Sequence, residues 1–590
     1  MSVIQTIRKA TVQALHELYS QEFSEKDFQV NQTKPEFEGD YTVVLFSLVK
    51  QLKKSPDAIG NELGQKLVSS HSTLFASFNL IKGFLNLVVQ DDYWTGFLTT
   101  AVVDTSYGSR KPTGQKVMIE YSSPNTNKPL HLGHLRNNFL GWSVAEIYKA
   151  NGADIVKTCI VNDRGIHICK SMIAWQLFAN GATPQSTGIK GDHFVGDYYV
   201  KFNEQYKKEI QQLVEQGIPN EEAEKEAPIM KAAQRMLLDW ENGDPAVLDL
   251  WKRMNGWVYE GFDQTYKRIG SDFQKTYYES ETYILGKKYV EEGLKKGIFF
   301  RKEDGSVWVD LTPEGLDQKL LQRRDGTSVY ITQDLGLADV KQAEFHADQS
   351  IYVIGDEQNY HMQVLKHICK KLDIPNADGI HHLSYGMVEL PTGKMKSREG
   401  TVVDADDLLN EMYEIAARHT QELGKVKDFD EEELKALYNT ISIGALKFFL
   451  LRVDPKKRMI FNPKESIDFH GFTGPFVQYT HARIKSILRK EHPQNIGIND
   501  NLLRLEKELI ISLEQFPAII DQACQEMNPS VIAVYVFNLA KTFNSCYTEH
   551  SIMNAETPLK KELRLQIAQL TAHVINKGMG MMGIGVPERM

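Results

Sequence analysis

His131 and His134 stand three residues apart in the run SPNTNKPLHLGHLRNNFLG, Ser123 to Gly141, and they are the side chains whose spacing first suggests chemistry. On a helix, residues three apart face the same way over one turn. Imidazole N–H groups placed there can stabilise charge developing on phosphate oxygens during displacement at phosphorus. Gly133 between them lets a planar base or ribose lie against the backbone, and the free N–H groups of a first helical turn favour anions. A bare pattern of two histidines arises readily by chance, so its context carries the weight. Upstream, KVMIEYSS (Lys116 to Ser123) is apolar and rich in β-formers, as a buried strand is. Downstream, Leu135, Phe139, Leu140, Val144, Ile147 and Tyr148 recur at helical spacing until Asn151-Gly152 stops the pattern. Strand, loop and helix is the order that phosphate chemistry needs.

A second candidate lies in GMVELPTGKMKSREGTVV, Gly386 to Val403. Gly393 and Gly400 bracket Lys394, Lys396, Ser397 and Arg398, a cationic loop suited to closing over a triphosphate. Alone it reads equally well as a solvated hairpin tip with ordinary charges. Together, two such segments far apart in sequence look like the halves of one split nucleotide site.

The elements that must position these residues follow from the wider pattern. At 590 residues the chain exceeds one core and implies several domains. Its 42% hydrophobic and 10% aromatic content is that of an ordinary globular protein. No apolar run long enough for a spanning helix is expected, and the amphipathic MSVIQTIRKATVQALHELYS lacks the features of a secretory signal, so a cytoplasmic location with no membrane partner is the default. The five cysteines form no CxxC pair, which argues against structural zinc or a disulfide framework. A net charge of −9 weighs mildly against nucleic-acid binding, yet Lys456, Lys457, Arg458, Arg483, Lys485, Arg489 and Lys490 gather enough local positive charge for phosphates.

Residues 1–108 read as a small α+β domain, with helices near 2–20, 40–54 and 56–68 and strands near 76–81 and 84–90; Ser106 to Gln115 reads as a linker. Over 109–403 strands and helices alternate, which implies a parallel sheet. The expected pieces are a helix over 133–150, a strand over 154–161, a helix after Gly165, and strands at SVWVDL (306–311), TSVYIT (327–332) and SIYVIG (350–355). Long polar helices over 185–265 read as an insertion. From 404 to 590 nearly everything is helical, with 531–543 apolar enough to be buried.

The two cationic and histidine motifs resemble the HIGH and KMSKS signatures of class I aminoacyl-tRNA synthetases, and their surroundings resemble the arginyl-tRNA synthetase family. The resemblance is carried by Glu120 to Asn125 (EYSSPN), His131 to Arg136 (HLGHLR), and Tyr330, Thr332, Asp334 and Gly336 in a YxTxDxG segment. It continues through IYVIGDEQNYHMQ (351–363), DFHGFTGPFVQYTHARI (468–484) and the closing GMGMMGIGVPERM, spanning about 115 to 590 with a weaker likeness before that. The second motif is one residue short of KMSKS, which leaves Lys396 and Arg398 both as candidates to meet pyrophosphate.

That resemblance implies an α/β Rossmann-like class I synthetase catalytic domain with helical insertions, a small α+β N-terminal domain that contacts tRNA, and an all-α C-terminal anticodon-binding domain. It implies a ligase that activates L-arginine with ATP and transfers it to the terminal ribose of its tRNA, with magnesium accompanying ATP and a monomer as the working form. His131, His134, Lys396 and Arg398 would be catalytic, with Gly133, Met387, Val388 and Lys394 completing the ATP site. The family also usually binds tRNA before activating arginine.

Arginine itself, planar and permanently charged, calls for a carboxylate that accepts two parallel hydrogen bonds. Asp334 is expected just after the strand-like TSVYIT, where open α/β sheets place ligands, with Tyr330 as an aromatic wall; its alternative is a helix N-cap. By resemblance Glu120, Asn125 and Gln358 complete the pocket, the last two near the amino-acid backbone. Asp163 and Gly165 in VNDRGIHICK either line it or only form a turn. Phe476, Gln478, Tyr479, His481 and Arg483 are a candidate anticodon surface, and Tyr535, Phe543 and Tyr547 another; bundle core is the competing reading for each aromatic. The rival functions are a small-molecule nucleotidylyltransferase, a class I synthetase for another amino acid, and a non-catalytic RNA-binding relative. The long helical C-terminal region, the Asp334–Tyr330 pair and the surviving histidines count against them in turn.

Overall fold

The computed structural model describes residues 2–34, 36–389, 391, 403–422, 428–498 and 500–590. Lys394, Lys396 and Arg398 lie outside the described residues.

The N-terminal domain packs α1 (Val3–Tyr19), α2 (Phe46–Leu52), α3 (Pro56–Ser70) and α4 (Asp91–Ala101) with an antiparallel sheet. Its strands are β1 (Gln29–Gln32), β2 (Tyr41–Val44), β3 (Phe75–Ile81) and β4 (Phe84–Val89), in the order β1-β2-β4-β3. The helix expected over 40–54 is therefore half a strand. Tyr41, Thr42 and Val43 are buried against β4 before the chain turns at Leu45 into a short helix.

The catalytic region is built on a five-stranded parallel sheet, β5 (Lys116–Glu120), β6 (Asp154–Val161), β7 (Lys275–Tyr278), β11 (Gln349–Gly355) and β12 (Ile380–Tyr385), ordered β12-β11-β5-β6-β7. Helices α5 (Leu132–Ala150) and α6 (Ile166–Phe178) follow β5 and β6. Between β6 and β7 the chain then adds α7 (Pro184–Thr187), α8 (Gly191–Glu215), α9 (Asn220–Glu226), α10 (Pro228–Glu241) and α11 (Pro245–Ile269). This is the insertion read from the polar helical stretch. After β7 come α12 (Glu279–Thr282) and α13 (Gly286–Lys295), then β8 (Phe299–Arg301), β9 (Val307–Val309) and β10 (Lys319–Gln322), a separate antiparallel sheet. SVWVDL thus belongs to that small sheet and not to the parallel one.

TSVYIT is not a strand. Thr327 and Ser328 turn back on β10, Val329 is an N-cap, and α14 (Tyr330–Phe345) begins at once. Its β-branched residues favour a strand locally, but Ile331, Leu335 and Ala338 bury one helical face, and that packing decides the outcome. Helix α15 (Asn359–Lys371) joins β11 to β12, and β13 (Val388–Glu389) pairs in parallel with β14 (Met459–Ile460).

The remainder is helical: α16 (Ala405–Glu422), α17 (Glu431–Leu451), α18 (Pro463–Ser466), α19 (Gly474–Leu488), α20 (Arg504–Glu514), α21 (Phe516–Glu526), α22 (Pro529–Glu549) and α23 (Pro558–Met581). By length and composition α17 could cross a membrane, contrary to the sequence expectation that no segment could. Yet 67% of its apolar window is buried within the protein. Helix α5 is the hinge of the architecture. One face lies on the sheet, where Gly141 leaves no room for a Cβ beside the Tyr121 ring. Its other face meets the helical region, where Ser143 Oγ donates to the Met581 carbonyl and buried Lys447 donates to that of Gly583.

Candidate active site

The site begins at the carboxyl end of β5, where the chain leaves the sheet through Ser122. Ser122 is buried and adopts φ +62°, a left-handed conformation that a serine adopts at some cost. Four contacts hold it. Its N–H donates to Asn137 Oδ1 (2.6 Å), its hydroxyl meets Tyr266 OH (2.7 Å) and accepts from Asn138 Nδ2 (3.1 Å), and Cys159 Sγ donates to its carbonyl (2.9 Å). The following SPN loop is zipped to the end of β6, Asn162 N–H donating to Pro124 O and Thr126 N–H to Asn162 O. This leaves the Asn125 side chain exposed toward the cleft.

His131 is the N-cap of α5, and the two imidazoles cap the helix reciprocally. Gly133 N–H donates to His131 Nδ1 (3.1 Å), and His131 N–H donates to His134 Nδ1 (3.2 Å). An Nδ1 that accepts leaves the proton on Nε2, so both rings present an Nε2–H donor at the head of the helix. Burial, reinforced by Lys128, pushes the His131 pKa down to about 3, and burial holds His134 well below the ordinary histidine value. Both are neutral donors at physiological pH, with ring centroids 3.9 Å apart.

The described flanks of the cationic loop are fastened to the same helix. Buried Arg136 donates to the carbonyls of Met387 (3.3 Å), Pro455 (3.2 Å) and Lys457 (2.8 Å), which ties α5 to the β13–β14 pair and to Val388. On the other flank, Leu132 N–H donates to Val403 O (3.1 Å). The described flanks of that second segment, Met387–Val388 and Val403, are therefore both held against the start of α5.

Beside it opens a cavity of about 1380 Å³ at the carboxyl ends of β5, β6 and β7. Asn125, Lys128, Gly165, Glu279, Tyr330 and Asp334 are on its wall. Tyr330 starts α14 and Asp334 lies one turn on, so they share a face; Tyr330 is 76% exposed. Asp334 is not a helix N-cap, that position being Val329. Its Oδ2 is held 2.6 Å from His361 Nε2 of α15. Glu279, at the carboxyl end of β7, is a second carboxylate here. Burial, opposed by Arg164 and aided by Asp163 and Asp334, pushes its pKa up to about 7. No sequence motif marks Glu279, although the rule that ligands gather beyond strand ends covers its position. His361 falls within the IYVIGDEQNYHMQ stretch, but its pairing with Asp334 of another helix is supplied only by the fold.

Other expected residues take different roles. Glu120 is buried and its carboxylate is engaged by Lys341 of α14, behind the cavity wall. A carboxylate desolvated at the end of a strand needs a cation, and Lys341 supplies one. Gln358 is exposed and precedes α15 without lining the cavity. Gly165 does line it, whereas the Asp163 carboxylate is consumed by Tyr259 OH (2.8 Å), Ser280 N–H (2.8 Å) and Ser280 Oγ (2.7 Å), which fixes α12 and with it Glu279.

On the candidate anticodon surface, Gln478 is wholly buried and donates to Thr440 O and Gly585 O, so it is core and not RNA-facing. His481 is buried against Pro587 O, Tyr535 donates to Ser512 O from the core, and Phe543 is also core. Half-buried Phe476 packs on Phe537. Tyr479 and Arg483 remain at the surface of α19, with the Arg483 guanidinium 5.0 Å from the Tyr479 ring and 6.0 Å from that of Tyr547.

Three family models match the chain. Residues 98–462 match tRNA synthetases class I (R), catalytic domain; 477–590 match the DALR anticodon binding domain; and 5–89 match the arginyl tRNA synthetase N terminal domain. Arginine–tRNA ligases of Bacteroides thetaiotaomicron and Amoebophilus asiaticus are 52% and 49% identical over the full length of both chains. Among solved structures, Thermus thermophilus arginyl-tRNA synthetase superposes with a TM-score of 0.79 at 23% identity over all of both chains. The Plasmodium falciparum enzyme gives 0.78 at 17%, covering 100% of this chain and 99% of that one. These two likenesses establish the fold.

Proposed function

The chain belongs to the class I arginyl-tRNA synthetase family, and we propose that it charges tRNA with arginine through the cleft between α5, β7 and α14. The observation that carries this reading is proximity: Asn125, Asn127 and Lys128, on the loop that leads directly to His131, line the cavity. Two fixed Nε2–H donors stand at a helix head, next to a cavity holding two carboxylates, Asp334 and Glu279. The first group suits a triphosphate and the second a guanidinium.

In the first step the arginine carboxylate attacks the α-phosphorus of ATP. A carboxylate oxygen–phosphorus bond forms and the bond to the leaving pyrophosphate breaks. His131 and His134 donate to the phosphate oxygens as charge accumulates there, with the first-turn N–H groups adding to the effect. Asp334, oriented by His361, accepts from the guanidinium with Tyr330 beside it. Glu279, proton-poised in the empty cavity, ionises when the cation enters. Asn125, on the cavity wall, is assigned to the amino-acid backbone by resemblance to the family. In the second step the 2′-hydroxyl of the terminal ribose attacks the acyl carbon and releases AMP. Lys394, Lys396 and Arg398 are assigned to the departing pyrophosphate by resemblance to the family motif.

Magnesium would enter with ATP. Among the described residues the grouping closest to a metal site is Asp192, His193 and Asp406, and the Lys190 ammonium sits within it. That set, already neutralised by an ammonium, does not fit a magnesium ion. The Tyr479–Arg483–Tyr547 surface, planar and basic, suits stacking of splayed anticodon bases.

The deciding experiment is ATP–pyrophosphate exchange with each amino acid, with and without unfractionated tRNA. Exchange with arginine is expected; exchange with another amino acid instead overturns the substrate assignment and leaves the fold intact.

A further inference from the structure

We propose that the helical insertion sets the position of the paired imidazoles through helix α8, with Lys190, His193 and Gly196 as positioning residues. This rests on the reading of His131 and His134 as the phosphate-binding pair. The segment carrying His131 is one strand of a short antiparallel ribbon. Leu132 N–H donates to Val403 O (3.1 Å), Ala405 N–H donates to Leu130 O (3.0 Å), and His131 pairs with Asp404 between them.

Helix α8 grips both strands of that ribbon. Against the first, Gly196 approaches so closely that a Cβ there would lie 2.8 Å from Pro129 Cδ, two residues before His131. Against the second, Lys190 Nζ donates to Asp406 Oδ2 (2.6 Å) and to Asp192 Oδ2 (3.0 Å), and His193 Nε2 lies 3.2 Å from Asp406 and 3.4 Å from Asp404. Asp404 in turn caps α16, its Oδ1 accepting from Asp406 N–H (2.8 Å) and Asp407 N–H (3.1 Å).

The grip is itself anchored within the insertion. Lys190 also donates to Thr265 Oγ1 of α11 (2.6 Å). Gly191 and Gly261 allow α8 and α11 to cross with no space for a side chain, Gly191 against the Trp257 carbonyl and Gly261 against the Asp192 carboxylate. Three carboxylates and an imidazole converge here, and the resident cation is the Lys190 ammonium, so the cluster works as a fastening. A shift of α8 moves Pro129 and Asp404 together, and His131 lies between them. None of the three positioning residues reaches the reacting atoms.

The test is ATP–pyrophosphate exchange by the full chain with saturating tRNA. Lys190→Met is expected to raise the KM for ATP about tenfold and lower kcat, while the KM for arginine stays within about twofold; a misplacement of 1 Å can cost ~100-fold. Lys190→Arg, which keeps the cation, should recover most of the loss. Gly196→Ala, a smaller change on the opposite strand, should move the same parameters and serves if Lys190→Met fails to fold. An unchanged KM for ATP in the folded variants, or equal shifts for ATP and arginine, overturns the proposal. His134→Ala in the same assay separates the two readings. If it keeps wild-type ATP kinetics, the assignment of the imidazoles falls, whatever Lys190 does.

Discussion

In the proposed reading Asp334 and Glu279 divide the work of recognising a guanidinium, and their surroundings give each a different signature. Asp334, held by His361, is the preformed acceptor; Asp334→Ala should raise the KM for arginine by about tenfold or more, as read in exchange kinetics, because a fork-shaped donor then faces an unpaired pocket. Glu279 has a pKa raised to about 7 by burial, so in the empty cleft it is protonated below that pH and ionised above it. Arginine binding should therefore tighten as pH rises from 6 to 8, and Glu279→Gln should flatten that part of the profile. The stability effect has the opposite sense. A raised folded-state pKa gives stability that is lost as pH climbs from the ordinary glutamate value toward 7. Ligand-free Glu279→Gln should thus melt higher than the parent at pH 8 and not at pH 5. At this scale the YxTxDxG pattern pointed to Asp334 and Tyr330, and the fold puts both on one face of α14 at the cavity wall. The sequence did not show the roles of Glu279 and His361, which depend on neighbours that only folding supplies. Nor could it show that Gln478 is core, donating to backbone carbonyls, or that Glu120 is paired with Lys341.

Helix α5 couples tautomer to secondary structure. The caps at Gly133 N–H and His131 N–H hold both imidazoles in the Nε2–H form, which histidine-labelled NMR should detect as constant, neutral Nε2–H rings from pH 5 to 8. Loss of either Nε2 proton signal, or titration near 6.5, would contradict the capped arrangement. One turn on, Arg136 holds three carbonyls that have no other route to a guanidinium. Arg136→Met should destabilise the protein by about 1–3 kcal/mol in denaturant unfolding, since Lys457 O loses its donor while Met387 O and Pro455 O keep the N–H groups of Met459 and Gly386. Elements of strong period, such as α5, β6, α22 and the insertion helices, were legible from the chain. TSVYIT was not, because its β-favouring residues run into the first turn of a helix once α14 has a core to bury.

Across the whole molecule, an acidic protein must bind a polyanion through local surface rather than net charge. Affinity for tRNA should fall linearly on a log–log plot against salt, and Arg483→Ala should weaken binding while leaving arginine-independent ATP affinity unaltered. The three-part layout was readable from composition and period. The way the helical region closes on α5 was not, because contacts such as Lys447 with Gly583 join segments with no sequence relation. The order β12-β11-β5-β6-β7 also has a temporal meaning. The central strand is made early, but its neighbour β11 and the β14 partner of β13 emerge from the ribosome only after hundreds of further residues. The sheet is therefore completed, and α5 tied to the β13–β14 pair, only once the later part of the chain has been made.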